Sequence, residues 1–162
     1  MKILGIDPGS RRTGYGIIEV RGERAALLHS GVINAGEGEF PQRLGIIFSE
    51  LRELIRDYGP DEVAVESVFV SHNANSALKL GQARGAAICA AIAAGLPVSE
   101  YAPRAVKQAM VGKGGADKQQ VQHMVRVLLN HGDSLPEDAA DALAVALCHQ
   151  HTQQTLSRLS GR

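Results

Sequence analysis

Apolar positions change their spacing along this chain, and the changes mark its elements. Residues 2–7 (KILGID) and 15–20 (YGIIEV) are rich in Ile, Leu and Val, with a glycine-containing turn between them. They predict the two strands of a hairpin. A third strand is predicted over 23–35, after the turn at Arg21-Gly22. From Pro41 the period becomes helical. Leu44, Ile47, Phe48, Leu51, Leu54 and Ile55 share one face, Pro41 suits the first turn, and Gly59-Pro60 stops the helix. A short strand follows over 61–68. Next comes a long helix over 73–94, with small residues at Gly81, Gly85, Ala86 and Ala90. Residues 96–101 predict a strand and 103–111 a helix. The loop GKGGAD leads to a helix capped by Asp117 and running to Leu129, and a last helix covers about 138–150. The order β-β-β-α-β-α-β-α-α-α predicts an α/β domain over 1–150, a mixed sheet flanked by helices. The polar stretch 151–162 is expected to fray.

Four acids break this pattern. Asp7 ends a run of strand-forming apolar residues, where a carboxylate is disfavoured. Glu66 follows the apolar run VAV near the end of another predicted strand. Asp138 and Asp141 lie one turn apart on a helix that is otherwise apolar, EDAADALAVALC. Each has an ordinary explanation: an Asx-type turn for Asp7, a solvated strand end for Glu66, a helix cap for Asp138. Glu137 reads as a solvated first-turn acid. Taken together, three apolar elements each carry an acid, and joining them would build a like-charged cluster that needs a cation. Oxygen-only ligands favour Mg²⁺ or Mn²⁺. Two such ions held by carboxylates are suited to in-line phosphodiester cleavage.

Composition adds little. The chain has 162 residues, and its 17 Lys and Arg balance its 17 Asp and Glu. Net charge therefore points to neither nucleic acid nor membrane, although a local basic face remains compatible with it. Cys89 and Cys148 lie outside any C-x-x-C pair and read as reduced, buried thiols. The longest apolar stretch, residues 86–98, is too short to span a bilayer and contains Gly95 and Pro97. Lys2 runs directly into a strand rather than a leader. A cytoplasmic protein is expected.

Four stretches carry a resemblance that spans nearly the whole chain: GIDPGSRRTGYG, ESVFVSHNANSALKLGQARG, YAPRAVKQAMVGKGGADKQQVQHMV and DAADALAVALCH. In this order they resemble the RuvC family, the bacterial Holliday junction resolvases. The resemblance implies a ribonuclease H-like fold, with a five-stranded mixed sheet flanked by helices over 1–150. It implies a homodimer that cuts two strands of four-way junction DNA symmetrically during recombination and repair. It also implies work alongside the branch-migration motor formed by the RuvA and RuvB proteins. The family's acids fall on Asp7, Glu66, Asp138 and Asp141, as ligands for Mg²⁺, with Mn²⁺ able to substitute and two ions per site. Some members carry His at the position matching Asp138. Lys107 and Lys118 match the family's lysines, which otherwise read as solvated cations. A lysine beside the scissile phosphate would stabilise developing charge. Phe69, one of only three Phe, could be core. The resemblance makes it a ring that stacks on an unpaired base at the junction centre. Lys79, Arg84, Arg104, Lys113 and Arg126 are candidate DNA-backbone contacts. His72 and His123 read as surface or helix histidines. Part of the small face of 73–94 would meet its twin in the dimer.

Three other functions compete. GIDPGSRRTG is also similar to the phosphate loop of actin-like and sugar-kinase ATPases, but those need two such domains and the rest of the chain does not match them. A junction-binding protein without activity would have no use for acids beside phosphates. An ordinary ribonuclease H would not need the Phe69 loop or the Lys107-to-Lys118 segment.

Overall fold

The computed structural model describes residues 1–67 and 73–161. The described elements follow the predicted order. They are β1 (Lys2–Asp7), β2 (Arg12–Arg21), β3 (Arg24–Asn34), α1 (Phe40–Tyr58), β4 (Glu62–Glu66), α2 (Ala74–Ala93), β5 (Val98–Tyr101), α3 (Pro103–Val111), α4 (Lys118–Leu128) and α5 (Glu137–Leu159). The strands form one mixed sheet in the order β3-β2-β1-β4-β5. β2 is antiparallel to both β1 and β3, while β1, β4 and β5 run parallel. β1 is central, and its four interior residues are buried because helices cover both faces of the sheet.

Strand parity divides the core. Leu4 and Ile6 of β1 join Val63 and Val65 of β4 on the face covered by α1 and α2. Ile3 and Ala64 lie on the opposite face, with α5 and the helices α3 and α4 beyond it. Side chains on a strand alternate between faces, so Gly5 and Asp7 share the side of Ile3, and Glu66 shares the side of Ala64. Both acids therefore face α5.

α5 lies directly on the strands because glycines leave room for it. A Cβ built at Gly5 would overlap the Ala142 carbonyl oxygen, one at Gly14 the Asp138 carbonyl oxygen, and one at Gly16 the Leu143 side chain. The buried stretch of α5, from Ala139 to Gln150, is apolar around nearly its whole circumference. The sheet takes one side, and α3 and α4 cover the other. The local signals behind the helices are ordinary. Pro41 starts α1, and Gly59 ends it in the left-handed conformation at φ 58°. Asp117 closes a reciprocal capping box with Gln120 at the start of α4.

Two expectations need correction. The polar stretch after 150 does not fray, and α5 continues to Leu159. The Thr152 hydroxyl donates to the Cys148 carbonyl, the Gln154 side chain donates to the Gly22 carbonyl, and Arg158 pairs with Glu23. The turn between β2 and β3 thus docks the last helical turns. Cys148 is buried as expected, but Cys89 is exposed on α2. The small residues of α2 divide: Ala86 and Ala90 pack on the core, whereas a Cβ at Gly81 or Gly85 would meet nothing within 4 Å.

Candidate active site

Asp7 stands at the last residue of the central strand and Glu66 at the last residue of its parallel neighbour. The turn after Asp7 is braced from below. The Gly9 N–H donates to the buried Thr13 hydroxyl (3.3 Å), which donates to the Gly9 carbonyl (3.0 Å). Asp138 and Asp141 come from the first turns of α5, which the glycines bring down onto β1 and β2. One carboxylate oxygen from each of Asp7, Asp138 and Asp141 lies within 4.8 Å of the others. Glu66 completes the group through a side-chain hydrogen bond with Asp7.

The electrostatics record how crowded the acids are. Burial, with the carboxylates of Glu66, Asp141 and Asp138 around it, pushes the Asp7 carboxyl up to about 8. Burial also raises Glu66, although the hydrogen bond from Asp7 and the charges of Lys118 and Lys107 pull it back. Asp141 is raised by burial and lowered by Lys118.

The chain supplies its own partial neutralisation. Lys118 Nζ lies 3.2 Å from Asp141 Oδ2 and also pairs with Glu137. These two acids hold Lys118 firmly protonated. Arg12 Nε lies 3.1 Å from Asp138 Oδ2. A cleft of about 340 Å³ opens over the acids, with Lys107, Lys118, Val106 and Val121 in its walls. Carboxylates crowded into one site, with Asp7 raised by burial and by its acidic neighbours, offer only oxygen donors and fit a hard divalent cation such as Mg²⁺ or Mn²⁺.

The structure thus brings together Asp7, Glu66, Asp138, Asp141, Lys107 and Lys118. Asp138 is not the cap of α5, which begins at Glu137 after Pro136. Phe69 and His72 lie outside the described residues. The other basic candidates scatter. Lys79 sits over the Phe40 ring, and Arg84 pairs with Glu100, both away from the cleft. Arg104 packs beneath Gly114 and follows the cleft residue Pro103, and Lys113 is exposed in the adjoining loop. Arg126 lines a separate groove with His123 and His131. Sequence reasoning missed Arg12 and the pairing role of Glu137. The chain separates Arg12 from Asp138 by most of its length, so no local pattern links them.

A five-stranded mixed sheet in the order β3-β2-β1-β4-β5, flanked by helices, is the ribonuclease H-like fold, and the acids lie at the ends of two of its parallel strands and on α5. The chain belongs to the RuvC family. The family profile described as crossover junction endodeoxyribonuclease RuvC matches residues 3–149. The chain is 58% identical over 156 residues to the crossover junction endodeoxyribonuclease RuvC of Dichelobacter nodosus, covering 96% of this chain and 89% of that protein. It is 57% identical over 159 residues to that of Methylococcus capsulatus, covering 98% and 96%. Its fold matches Thermus thermophilus RuvC in complex with a Holliday junction substrate, with a TM-score of 0.91, 38% identity and 97% of each chain covered.

Proposed function

We infer that this protein is an endonuclease that resolves four-way DNA junctions by paired, symmetric phosphodiester cleavage. The observation that carries the reading is the joining of Asp7, Asp138 and Asp141, with Asp7, Asp141 and Glu66 lining a cleft walled by Lys107 and Lys118. The same fold, over 97% of its length, is that of a RuvC seen with a Holliday junction substrate.

Asp7, Glu66, Asp138 and Asp141 would hold Mg²⁺, with Mn²⁺ able to substitute and room in the donor set for two ions. When bound, such a cation supplies Lewis acidity and lowers the pKa of a coordinated water. The protein's own part is positional. β1 and β4 fix two carboxylates on a rigid sheet, and the strands move less than a loop would. Lys118, anchored between Asp141 and Glu137, and Lys107 across the cleft present positive charge where the phosphate gains negative charge in the transition state. Arg104 and Lys113, beside the cleft, are the best placed of the basic candidates for DNA-backbone contacts. Phe69 is proposed, on family resemblance, to stack on an opened base.

The active species is a homodimer, because a junction needs two opposed cuts and the described residues of each chain support one acid cluster. The exposed face of α2, with Leu78 68% and Ile92 58% accessible beside Gly81 and Gly85, suits a helix-to-helix contact. RuvA and RuvB proteins are the proposed motor partners. The cytoplasm is the proposed location, and no helix among the described residues is long and apolar enough to cross a membrane. The reading is tested with a labelled four-way junction, a linear duplex and an RNA–DNA hybrid, each incubated with Mg²⁺. Paired cuts in the junction alone are expected, and preferential cutting of the hybrid would point to a ribonuclease H activity instead.

A further inference from the structure

The contact that brings Asp138 and Asp141 to the sheet is made largely of small groups. Gly5, Gly14 and Gly16 meet the backbone of α5 and Leu143, and Ala64 packs on the same side. Such contacts are close but weakly directional, since dispersion has little preference for one axial register. Polar contacts therefore help to hold α5 in register on the sheet, as Gln154 and Arg158 do at the β2–β3 turn, and β4 needs one of its own.

His149 is placed to do this. It lies on α5 two turns beyond Asp141 and is 1% exposed. Its Nδ1 is 2.7 Å from the Tyr101 hydroxyl, and its Nε2 is 2.5 Å from Glu62 Oε2. With the proton on Nε2, that N–H donates to the Glu62 carboxylate, and Nδ1 accepts from the Tyr101 hydroxyl. Neither ring nitrogen is then left unpaired in the interior. Burial keeps the Tyr101 phenol above its ordinary range, so it remains a donor at neutral pH.

The spacing ties this cluster to the acids. α5 runs antiparallel to β4, with Asp141 beside Glu66 at one end and His149 beside Glu62 at the other. Eight residues of helix from Asp141 to His149 rise roughly 12 Å. Four residues of strand from Glu62 to Glu66 rise roughly 13 Å. The two lengths match, so a fixed His149–Glu62 bond sets Asp141 level with Glu66. Tyr101 is the sheet partner of Glu66, and its carbonyl accepts from the Ser67 N–H at 2.8 Å. The cluster therefore binds α5 to β4, the strand that carries Glu66, and to its neighbour β5.

We propose that Glu62, His149 and Tyr101 form a positioning network that sets the axial register of α5 on the sheet, and with it the spacing of Asp138 and Asp141 from Asp7 and Glu66. The three residues touch no reacting atom and act through the carboxylates. The proposal rests on the reading of those carboxylates as a divalent-cation site.

The test is a Mn²⁺ titration of the protein alone, with free Mn²⁺ read by electron paramagnetic resonance. Junction affinity without metal and thermal melting are measured in parallel. His149→Phe should weaken Mn²⁺ binding by about tenfold, while junction affinity without metal changes less than twofold. Tyr101→Phe removes a single hydroxyl and should weaken Mn²⁺ binding two- to fivefold, which keeps the test available if His149→Phe folds poorly. Glu62→Gln keeps an acceptor for the ring N–H and should stay within twofold of wild type. Wild-type Mn²⁺ affinity in Tyr101→Phe, or in folded His149→Phe, would overturn the network. So would a loss of junction affinity equal to the loss of Mn²⁺ affinity. A wild-type protein that binds no Mn²⁺ would instead remove the cation site itself, and the network with it.

Discussion

Arg12 Nε lies 3.1 Å from Asp138 Oδ2, so the start of β2 supplies a cation to an acid of the cluster. A divalent cation bound there must share that carboxylate or displace the guanidinium. The pair is solvent-exposed on the arginine side, and exposed pairs contribute about 0.2–1 kcal/mol. Arg12→Ala should therefore lower the Mn²⁺ concentration for half-maximal cutting by at most about fivefold. A titration of single-turnover rate against Mn²⁺ measures it. A higher requirement would mean that Arg12 supports the site rather than competes for it.

Lys107 and Lys118 face the same cleft, but only Lys118 is held by two carboxylates. Each Lys→Ala change should slow the chemical step by roughly 10²–10³-fold, the cost of losing one preorganised charge stabiliser. Junction affinity should fall much less. Single-turnover rates at saturating enzyme separate the two effects. Unchanged rates with weaker binding would make both lysines anchors.

The raised carboxyl of Asp7 makes stability depend on pH. Its folded value of about 8 exceeds its ordinary value of 3.8, so the folded state binds the proton more tightly. The resulting stabilisation is full below about pH 4 and is lost as pH rises through about 8. Glu66 and Asp141 are raised too and act in the same direction. In chelator, the melting temperature contributed by these groups should fall across that window. Asp7→Asn cannot ionise and should be more stable than wild type near pH 8, with the difference shrinking toward pH 4. A difference independent of pH would contradict the assignment.

Much of this centre was legible in the sequence, and the reason is physical. Asp7 and Glu66 each have an ordinary explanation and stand out only together with the acids of the last helix. Carboxylates on several apolar elements are costly unless something uses them, and the family resemblance assigns them to one site. Strand parity then turns both toward α5. The order of elements follows from local periodicity and from caps such as Asp117. What stayed hidden depends on distant partners. Arg12 with Asp138, His149 with Glu62, and the docking of 151–159 against the β2–β3 turn all join residues far apart in the chain. Nor could spacing tell that Gly5, Gly14 and Gly16 face α5 while Gly81 and Gly85 face open space.

That open space makes α2 a clean place to test assembly. A Cβ at Gly85 would meet nothing within 4 Å, and Gly85→Leu replaces a poor helix former with a good one, worth up to about 1 kcal/mol to the isolated fold. The monomer should remain folded or become more stable. If α2 forms the dimer contact, overpacking there costs about 1–3 kcal/mol and shifts the protein toward monomer in sedimentation. Paired cutting should be lost together with the dimer. A Gly85→Leu dimer of wild-type strength would move the contact to another face.

Asp7→Asn tests the central claim most directly, because the amide keeps the shape of the side chain and removes the charge at the middle of the acid cluster. The decisive measurement compares junction binding without metal and junction cutting with Mg²⁺ in the same preparation. Phosphate contacts outside the acid cluster are expected to supply most of the binding. It should stay within about twofold of wild type, while cutting falls below detection. Cutting at the wild-type rate, or a loss of binding as large as the loss of cutting, would contradict a carboxylate centre built on Asp7.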